Sequence, residues 1–290
     1  MPKLLVIGSI NIDDIVTTNN FPKPGQTVFG NEYKKVPGGK GANQAIAAAR
    51  LGVDVGFIGC VGKDTDGDFL LNNFKNNGID ISNILIKEDQ LTGKAYITVC
   101  NGENQIIVIS GANQEVTKEM IDVDTILNSQ MVLLQLEIPI ETVEYVIDVC
   151  YKNNIPVILN PAPAVKINQE LLSKVTYITP NEIEAELIFE TNDYESLVNK
   201  YPNKLIITLG SEGAIFKDNE GIKRIPVREV DVVDTTGAGD TFNGALAMSL
   251  LEGNTLAEAV RFATVAATIK TTKRGAQTGM PTYQEVRDVM

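Results

Sequence analysis

The sequence predicts an α/β protein whose mostly parallel central sheet is flanked by helices, and three observations lead to that fold class. Apolar runs of strand length recur along the chain. They are LLVIGSI (4–10), VGFIGCVG (55–62), MVLLQLEI (131–138), IPVILNPAP (155–163), VTYITPN (175–181) and KLIITLGSEG (204–213). Segments of helical spacing lie between them, and these are GANQAIAAARLG (41–52), IETVEYVIDVCYKNN (140–154), NEIEAELIF (181–189) and GALAMSLLEG (244–253). The runs lack polar alternation, which indicates strands buried on both faces, and strands that alternate with helices indicate parallel pairing.

Two stretches interrupt this alternation, and each has the pattern of a β-hairpin. Residues 14–36 and 92–111 both pair β-branched or aromatic runs around Gly, Asn or Pro turns. Strands from two such distant places would form a small extra sheet over one end of the core, where it could act as a lid that excludes water. Surface hairpins without a function are the alternative interpretation. We therefore expect one α/β domain over residues 1–290 with two insertions.

Composition excludes several classes of function. The 290 residues carry a formal net charge of −12, which argues against a nucleic-acid or anionic-membrane surface. The chain has no histidine, so it cannot contain a Ser-His-Asp triad, a Cys-His pair or a histidine-ligated metal site. Any acid-base chemistry falls to carboxylates or lysine.

Cysteine usage and hydropathy predict a cytoplasmic protein. The three cysteines, Cys60, Cys100 and Cys150, form no CxxC pair, which suits a reducing compartment, and we expect them to be buried. The apolar run near the start is too short for a signal peptide, and no later run has the length of a membrane span.

A glycine turn in DTTGAGDTFNG (234–244) is the first candidate for chemistry. Gly237, Ala238 and Gly239 precede an apolar helical segment, and amide groups at such a helix start can bind an anion. Asp240 falls in the first helical turn, where a carboxylate can be catalytic or simply a favourable N-terminal residue. The helix start is expected to lower the pKa of Asp240. The nucleotide motifs GxxxxGK[ST] and GxGxxG are absent.

Two further polar clusters follow predicted strands or open helices. PGGKGANQAIAAARLG (37–52) surrounds Lys40 with glycines, which permit close approach of a ligand to the backbone. Asn11 and Asp13 follow the first strand and share one face if extended. Their side chains are suited to a hydroxyl-rich ligand, although each cluster could also be a cap or a turn. In open α/β sheets, ligands bind beyond the carboxyl ends of the strands.

Seven motifs in order resemble the ribokinase family of carbohydrate kinases (the PfkB group), and the likeness covers nearly the whole chain. The motifs are GSINID (8–13), PGGKGANQAIAAARLG (37–52), QLE (135–137), NPAPA (160–164), TPNEIEAE (179–186), TLGSEG (208–213) and DTTGAGDTFNGAL (234–246). The resemblance implies ATP-dependent phosphorylation of the primary hydroxyl of ribose, with Mg²⁺ and a monovalent cation, usually K⁺. It also implies that the hairpins form a lid whose sheet joins a homodimer.

The resemblance assigns roles to residues at matching positions. Asp240 is the expected base, and Gly237, Ala238 and Gly239 form the expected anion hole. The expected sugar-binding residues are Asn11, Asp13, Gly39, Lys40, Asn43 and Glu137, together with Asp240. The expected Mg²⁺ and nucleotide residues are Asn181, Glu184, Thr208, Gly210, Ser211, Gly213, Gly239 and Thr264. The expected K⁺ ligands are Asp234 and the carbonyls of Thr236, Lys270, Lys273 and Gly275.

Two positions depart from the family pattern. Gly279 stands where many members offer a hydroxyl to the cation, so a ligand there has to be backbone or water. Thr264 stands where some members place a histidine near the adenine, which leaves base selectivity open.

Three functions remain open at the level of sequence. The first is a ribose kinase, which the intact Asp240 and glycine turn favour. The second is a related kinase for a nucleoside, a deoxysugar or a sugar phosphate. A sugar phosphate would need additional basic residues near the lid. The candidates there are Lys34, Lys35 and Lys94, which we interpret as solvated strand residues. The third is a non-catalytic sugar-binding regulator, which loss of the base or the glycines would have favoured.

Overall fold

The computed structural model describes residues 3–290, in which strands and helices alternate through most of the chain. The strands are β1 (Leu4–Ile7), β2 (Asn11–Thr18), β3 (Gly30–Gly38), β4 (Val55–Gly62), β5 (Asp80–Lys87), β6 (Gly93–Cys100), β7 (Glu103–Ile109), β8 (Met131–Leu134), β9 (Val157–Leu159), β10 (Tyr177–Ile178), β11 (Ile206–Thr208), β12 (Ala214–Asp218) and β13 (Gly221–Ile225). The helices are α1 (Lys40–Arg50), α2 (Thr65–Asn76), α3 (Val123–Leu127), α4 (Ile140–Lys152), α5 (Gln169–Lys174), α6 (Glu182–Phe189), α7 (Tyr194–Lys200), α8 (Ala238–Leu251), α9 (Leu256–Thr271) and α10 (Tyr283–Arg287).

A six-stranded parallel sheet forms the centre of the molecule, in the order β10-β9-β8-β1-β4-β5. Strand β1 lies in its interior, where Val6 is paired with Phe57 on one side and Leu133 on the other. This arrangement confirms the predicted fold class. Because all six strands run the same way, the polar residues that follow them meet at one edge of the sheet.

Two details of the sheet differ from the prediction. The edge strand β5 is not among the predicted apolar runs, because its residues are only partly buried and mix with polar ones. Of the predicted run 204–213, only Ile206–Thr208 is a strand, and it belongs to a separate antiparallel sheet, β11-β12-β13. Single parallel bridges, Ile178 with Leu205 and Asn181 with Thr208, join that sheet to the edge of the central one.

Helices cover both faces of the central sheet, and apolar side chains fill the two interfaces. One core cluster includes Ile46 of α1, Phe242 of α8 and Val260 of α9, and the other includes Val146 of α4 and Ala185 of α6. Apolar burial of this kind on both faces is the main stabilising contribution in a parallel α/β fold.

Helices α1 and α8 approach each other closely, and this contact positions the candidate site. A Cβ atom on Gly244 would lie only 2.7 Å from the Cβ of Ala47 and 2.8 Å from the amide nitrogen of Ala48. Only glycine fits at that crossing. The close packing brings the first turn of α8, which carries Asp240, against the residues Asn43 and Gln44 of α1.

The two predicted hairpins are present, and together they form a four-stranded sheet in the order β3-β2-β6-β7. Strands β2 and β3 pair antiparallel, as do β6 and β7. Parallel pairing of β2 with β6 joins the hairpins, which are distant in sequence. The three cysteines are free and buried, as predicted. No helix within residues 3–290 is both long and apolar enough to cross a membrane.

Candidate active site

Asp240 is buried at the start of α8, and two side chains of α1 hold its carboxylate. The Nδ2 atom of Asn43 donates to Oδ2 at 2.9 Å, and the Nε2 atom of Gln44 donates to Oδ1 at 3.1 Å. Each carboxylate oxygen thus has a fixed donor, so the group has one orientation. Gly237 is the N-cap residue of the helix, with a left-handed φ of 79° that favours glycine.

The prediction that the pKa of Asp240 is lowered was wrong, because the pKa is raised overall. Burial raises the pKa of Asp240 above its ordinary value, and the charge of Lys40 with the hydrogen bonds from Asn43 and Gln44 lowers it only in part. Desolvation therefore outweighs the neighbouring positive charge and hydrogen-bond donors here. A carboxylate with a raised pKa accepts a proton more readily, which suits a general base.

Amide side chains behind Asp240 form a network that the sequence prediction missed. Gln44 also donates to Asn160 Oδ1 at 3.0 Å and accepts from Gln135 Nε2 at 2.6 Å. On the other side, Gln277 Nε2 donates to Asn43 Oδ1 at 2.9 Å. These contacts fix which amide atom faces Asp240. Gln44 is adjacent to the predicted Asn43, but Gln277 is 234 positions away, and no local pattern links it to the site.

Asn11 and Asp13 lie on one face of β2, as predicted, and a glycine on each neighbouring strand gives them room. A Cβ on Gly38 of β3 would lie 2.2 Å from Asp13 Oδ1, and one on Gly93 of β6 would lie 2.3 Å from Asn11 Oδ1. Asn11 Oδ1 also accepts from Asn113 Nδ2 at 2.7 Å, a residue that the prediction did not include. This leaves the amide nitrogen of Asn11 as the donor for a ligand.

Glu137 follows β8 and binds the start of α1. Its Oε2 atom accepts from the backbone N–H of Lys40 at 2.9 Å and from Ser9 Oγ at 2.5 Å. Gly39 is the N-cap residue there, with a φ of 89°. The structure thus brings the predicted residues Gly39, Lys40 and Glu137 together, with Ser9 as an additional partner.

The charged side chains around Asp13 and Lys40 shift the pKa values of these two residues. Burial, followed by the negative charges of Glu137, Asp240 and Asp14, raises the pKa of Asp13 to about 7. Burial lowers the pKa of Lys40, but the surrounding carboxylates more than offset this, so the pKa of Lys40 is raised overall. Lys40 is therefore a permanent cation among carboxylates.

A cavity of about 220 Å³ connects Lys40 to the glycine turn and to Asp240. It is lined by Lys40, Asn160, Ala162, Thr179, Asn181, Glu184, Thr208, Gly237, Gly239, Asp240 and Asn243. A Cβ on Gly239 would meet no atom within 4 Å, so this part of the turn faces open space. The cavity combines a cation, backbone amides at a helix start and a fixed carboxylate.

A second cavity of about 700 Å³ adjoins the first and is lined by the predicted nucleotide residues other than Glu184. Both are lined by Asn181, Thr208 and Gly239. The larger one is also lined by Gly210, Ser211, Gly213, Ala238 and Thr264. Its other wall includes the segment Val227–Val230 and Val232, which the prediction missed. The Thr264 hydroxyl donates to Val260 O at 2.8 Å, so it is occupied within its own helix.

Asn181 and Glu184 form a capping box at the start of α6. Asn181 Oδ1 accepts from the Glu184 amide at 2.8 Å, while Glu184 Oε2 accepts from the Asn181 amide at 2.9 Å. Burial raises the pKa of Glu184, and it lines the smaller cavity. One carboxylate that lines this cavity fits Mg²⁺, which commonly keeps several waters and binds few protein ligands. The described residues contain no cluster of three or more acidic or cysteine ligands.

The residues predicted to hold K⁺ lie together, but they do not fit a monovalent cation, because a lysine side chain lies among them. The Nζ atom of Lys270 donates to the backbone carbonyl of Asp234 at 2.7 Å and lies 3.4 Å from that of Lys273. The Lys270 side chain is 0% exposed. The prediction considered only its carbonyl.

The Asp234 carboxylate is also occupied. Its Oδ1 accepts from the Thr236 amide at 2.9 Å, and its Oδ2 accepts from the Gly275 amide at 2.8 Å. Burial raises the pKa of Asp234, but these hydrogen bonds and Lys270 lower it overall. The carboxylate thus joins the segment before the glycine turn to the loop that contains Gly275 and Gly279.

Comparison with known proteins identifies the family. The model of the pfkB family of carbohydrate kinases matches residues 1–283. The chain belongs to that family. A pfkB relative named ribokinase in Lactococcus lactis is 48% identical over 99% of this chain and 96% of its own length. Another, named ribokinase in Bacillus subtilis, is 44% identical over the full length of both chains. A solved structure of Arabidopsis thaliana ribokinase complexed with ribose and ATP is 32% identical, with a TM-score of 0.90 over 99% of this chain and 98% of that one.

Membership of the pfkB family agrees with the arrangement of the site. The predicted base, glycine turn and nucleotide residues line the two cavities, and Asn11 and Asp13 lie on β2 of the four-stranded sheet. A carbohydrate kinase needs a polar sugar site next to a phosphate site. Asp240 meets both parts of the site, because its carboxylate accepts a hydrogen bond from Asn43 and it lines the same cavity as Lys40 and Gly239.

Proposed function

We propose that this pfkB kinase transfers the γ-phosphoryl group of ATP to the 5-hydroxyl of D-ribose, giving ribose 5-phosphate and ADP. The observation that carries the proposal is the buried Asp240 carboxylate, fixed by Asn43 and Gln44 at the edge of the smaller cavity. The full-length relatives named ribokinase support ribose as the sugar.

Asp240 is the proposed general base. Its carboxylate accepts a hydrogen bond from the attacking hydroxyl and takes the proton as the oxygen–phosphorus bond forms. Burial, which raises its pKa, favours this proton transfer. Asn43 and Gln44 keep its oxygens aimed, so that the hydroxyl is aligned with the phosphoryl group.

The smaller cavity is the proposed site of phosphoryl transfer, and the larger one is the proposed nucleotide site. Lys40 and the amides of Gly237–Gly239 would stabilise the negative charge that develops on the transferring group. Mg²⁺, held through water by Glu184 and Asn181, would neutralise charge on the phosphates of ATP. Thr208, Gly210, Ser211 and Gly213 line the proposed nucleotide loop, and the methyl of Thr264 would contact the base.

Asn11, Asp13 and Asn43 are the proposed ligands of the ribose hydroxyls, with Gly39 and Glu137 beside them. The four-stranded sheet carries Asn11 and Asp13 on β2, so its closure over the sugar would complete the binding site and exclude water. We propose that the insertions at 14–36 and 92–111 form this lid within a single domain of residues 1–290. The free, buried cysteines support a cytoplasmic location.

A sugar phosphate is a weaker candidate because the basic residues of the lid are already paired. Lys35 and Lys94 each lie 2.7 Å from a different carboxylate oxygen of Asp66, and Lys34 lies 2.9 Å from Glu32. A second phosphate group would have to break these pairs. The intact Asp240 and glycine turn likewise disfavour a non-catalytic regulator.

Phosphorylation of a panel of acceptors tests the proposed function. We expect ADP release with ribose to give the highest kcat/KM among ribose, deoxyribose, fructose and adenosine. Phosphorus NMR of the product is expected to show the phosphate on the 5-oxygen. A preference for adenosine or fructose would assign the enzyme to another branch of the family, and no ADP release with any acceptor would remove the kinase proposal.

The exposed edge of the lid sheet supports a homodimer. Strand β7 is at the edge of that sheet, and its residues Ile106–Ile109 are each more than half exposed. An apolar edge strand of this kind tends to associate with another sheet. We propose that a second copy of the chain covers it.

Changing one apolar residue of β7 is expected to give a monomer. Ile107 is 69% exposed, and the substitution Ile107→Asp would place a charge in the proposed interface. Size-exclusion chromatography with light scattering should report a dimer for the parent protein and a monomer for this variant. Leu127→Asp, at an exposed leucine of α3, is the control and should remain dimeric. A monomeric parent protein would contradict the proposal.

A further inference from the structure

The ammonium group of Lys270 lies in an interior position where the family resemblance implies a free cation. Lys270 is in the last turn of α9, and its side chain is 0% exposed. Nζ donates to the carbonyl of Asp234 at 2.7 Å, with the Lys273 carbonyl at 3.4 Å and Asp234 Oδ1 at 4.0 Å. A buried ammonium is stable only with such oxygen partners.

Gly279 provides the space for this lysine. A Cβ on Gly279 would lie 3.3 Å from Lys270 Cε, 2.8 Å from Gly275 O and 3.1 Å from Lys273 O. Any side chain at 279 would therefore crowd the lysine and the carbonyls around it. Gly279 and Lys270 belong together, because the residue without a side chain makes room for the residue that supplies a charge.

We propose that the ε-ammonium of Lys270 acts as a permanently attached monovalent cation beside the Gly237–Gly239 turn, so that this enzyme needs no K⁺. A second cation among the same oxygens would be repelled by the ammonium. The activity measurements that test this inference rest on the proposed kinase function. The ion-binding measurements do not.

Lys270 is a positioning residue in this proposal. It joins the end of α9 to the Asp234 carbonyl, while the Asp234 carboxylate binds the amides of Thr236 and Gly275. Thr236 directly precedes Gly237, the N-cap residue of α8. The ammonium thus fixes the segment that leads into the proposed anion hole, and its charge adds to the positive potential there.

The test compares the parent protein with Lys270→Ala and Lys270→Met in choline chloride, NaCl and KCl at equal ionic strength. The parent should turn over ribose at rates within about twofold in all three salts. Lys270→Ala should lose on the order of 10-fold in choline, less than the roughly 10²- to 10³-fold for a donor that contacts the reacting group itself. KCl should restore most of that loss, because the variant leaves an empty site lined by oxygens. Lys270→Met fills the space without a charge, so KCl should not restore its activity.

Ion binding gives a readout that does not depend on turnover. Titration calorimetry with KCl, and thallium NMR, should detect one site in Lys270→Ala and none in the parent protein. Thermal melting should show stabilisation by KCl over choline chloride only in Lys270→Ala.

A matched control is available at Lys204, whose ammonium also binds two backbone carbonyls, those of Leu172 at 3.0 Å and Ser173 at 2.9 Å, away from the cavities. Lys204→Ala should show no dependence on K⁺. A parent protein whose turnover rises several-fold with K⁺, or one that binds thallium at this site, would overturn the proposal. So would a folded Lys270→Ala that neither binds nor responds to K⁺. Should that variant fail to fold, the parent protein's salt response and thallium binding still decide the matter.

Discussion

Asp240→Asn is expected to lower kcat roughly 10²- to 10⁴-fold, the range for loss of a general base. The amide nearly matches the carboxylate in shape, so the contact between α1 and α8 should persist. It cannot take the proton of the attacking hydroxyl, and it offers only one acceptor to the two donors, Asn43 and Gln44. Steady-state ADP release with ribose measures the loss, and calorimetric titration should give an ATP affinity within about threefold of the parent protein's.

Asp193→Asn is a matched control for that substitution. Asp193 is the N-cap residue of α7, and it lies outside both cavities. Because Asn caps a helix about as well as Asp, folding and turnover should both be unchanged. A kcat for Asp240→Asn within a few-fold of the parent value would remove Asp240 from the mechanism and leave the fold assignment intact.

Much of the fold could be predicted because its signals are local. The buried strands β1, β4 and β8 are unbroken apolar runs, and a fully buried strand has no other pattern to show. Strand β5 was missed for the opposite reason, since an edge strand is half solvated and mixes polar with apolar residues. The strand β11 was predicted, but its assignment to the parallel sheet was wrong, because pairing with β12 depends on a turn and not on the apolar run itself.

In the candidate site, likewise, some residues belong to local sequence motifs and others are distant in sequence. The glycine turn, Asp240 and Asn43 are visible as motifs, and the structure brings them together. Gln277, which orients Asn43, and Asn113, which orients Asn11, are single polar residues far away in sequence, so they form no local pattern. The sign of the pKa shift of Asp240 could not be predicted, because desolvation depends on packing around the carboxylate.

Asp13→Ala is expected to lower kcat/KM for ribose about 10- to 150-fold, which corresponds to roughly 1.5–3 kcal/mol for a hydrogen bond to a charged group. Asp13 projects from β2 toward Glu137 and Asp240, whose charges raise its pKa. A carboxylate there orients the sugar as well as binding it, so both affinity and turnover should fall. Sugar titrations and single-turnover rates separate the two effects.

The neighbouring Asp14 is the matched control, because it lies on the opposite face of the same strand. Its carboxylate accepts from the Tyr33 hydroxyl at 2.5 Å and lies 3.8 Å from Lys94 Nζ. Asp14→Ala should therefore leave kcat/KM for ribose within about threefold of the parent value. Equal losses in the two variants would indicate damage to the lid sheet and not to a sugar contact.

We expect Asp13 to lower the stability of the folded protein at neutral pH, and thermal melting measures this effect. The pKa of Asp13 is raised from its ordinary value of 3.8 to about 7 in the folded protein, so the folded state binds the proton more tightly. The stability that this provides is present below pH 3.8 and is lost as the pH rises through 7. Without sugar, Asp13→Ala should therefore gain melting temperature relative to the parent protein between pH 5 and pH 8. A difference that does not change with pH would mean that Asp13 is ionised at both, and that the carboxylates around it do not form the coupled sugar site proposed here.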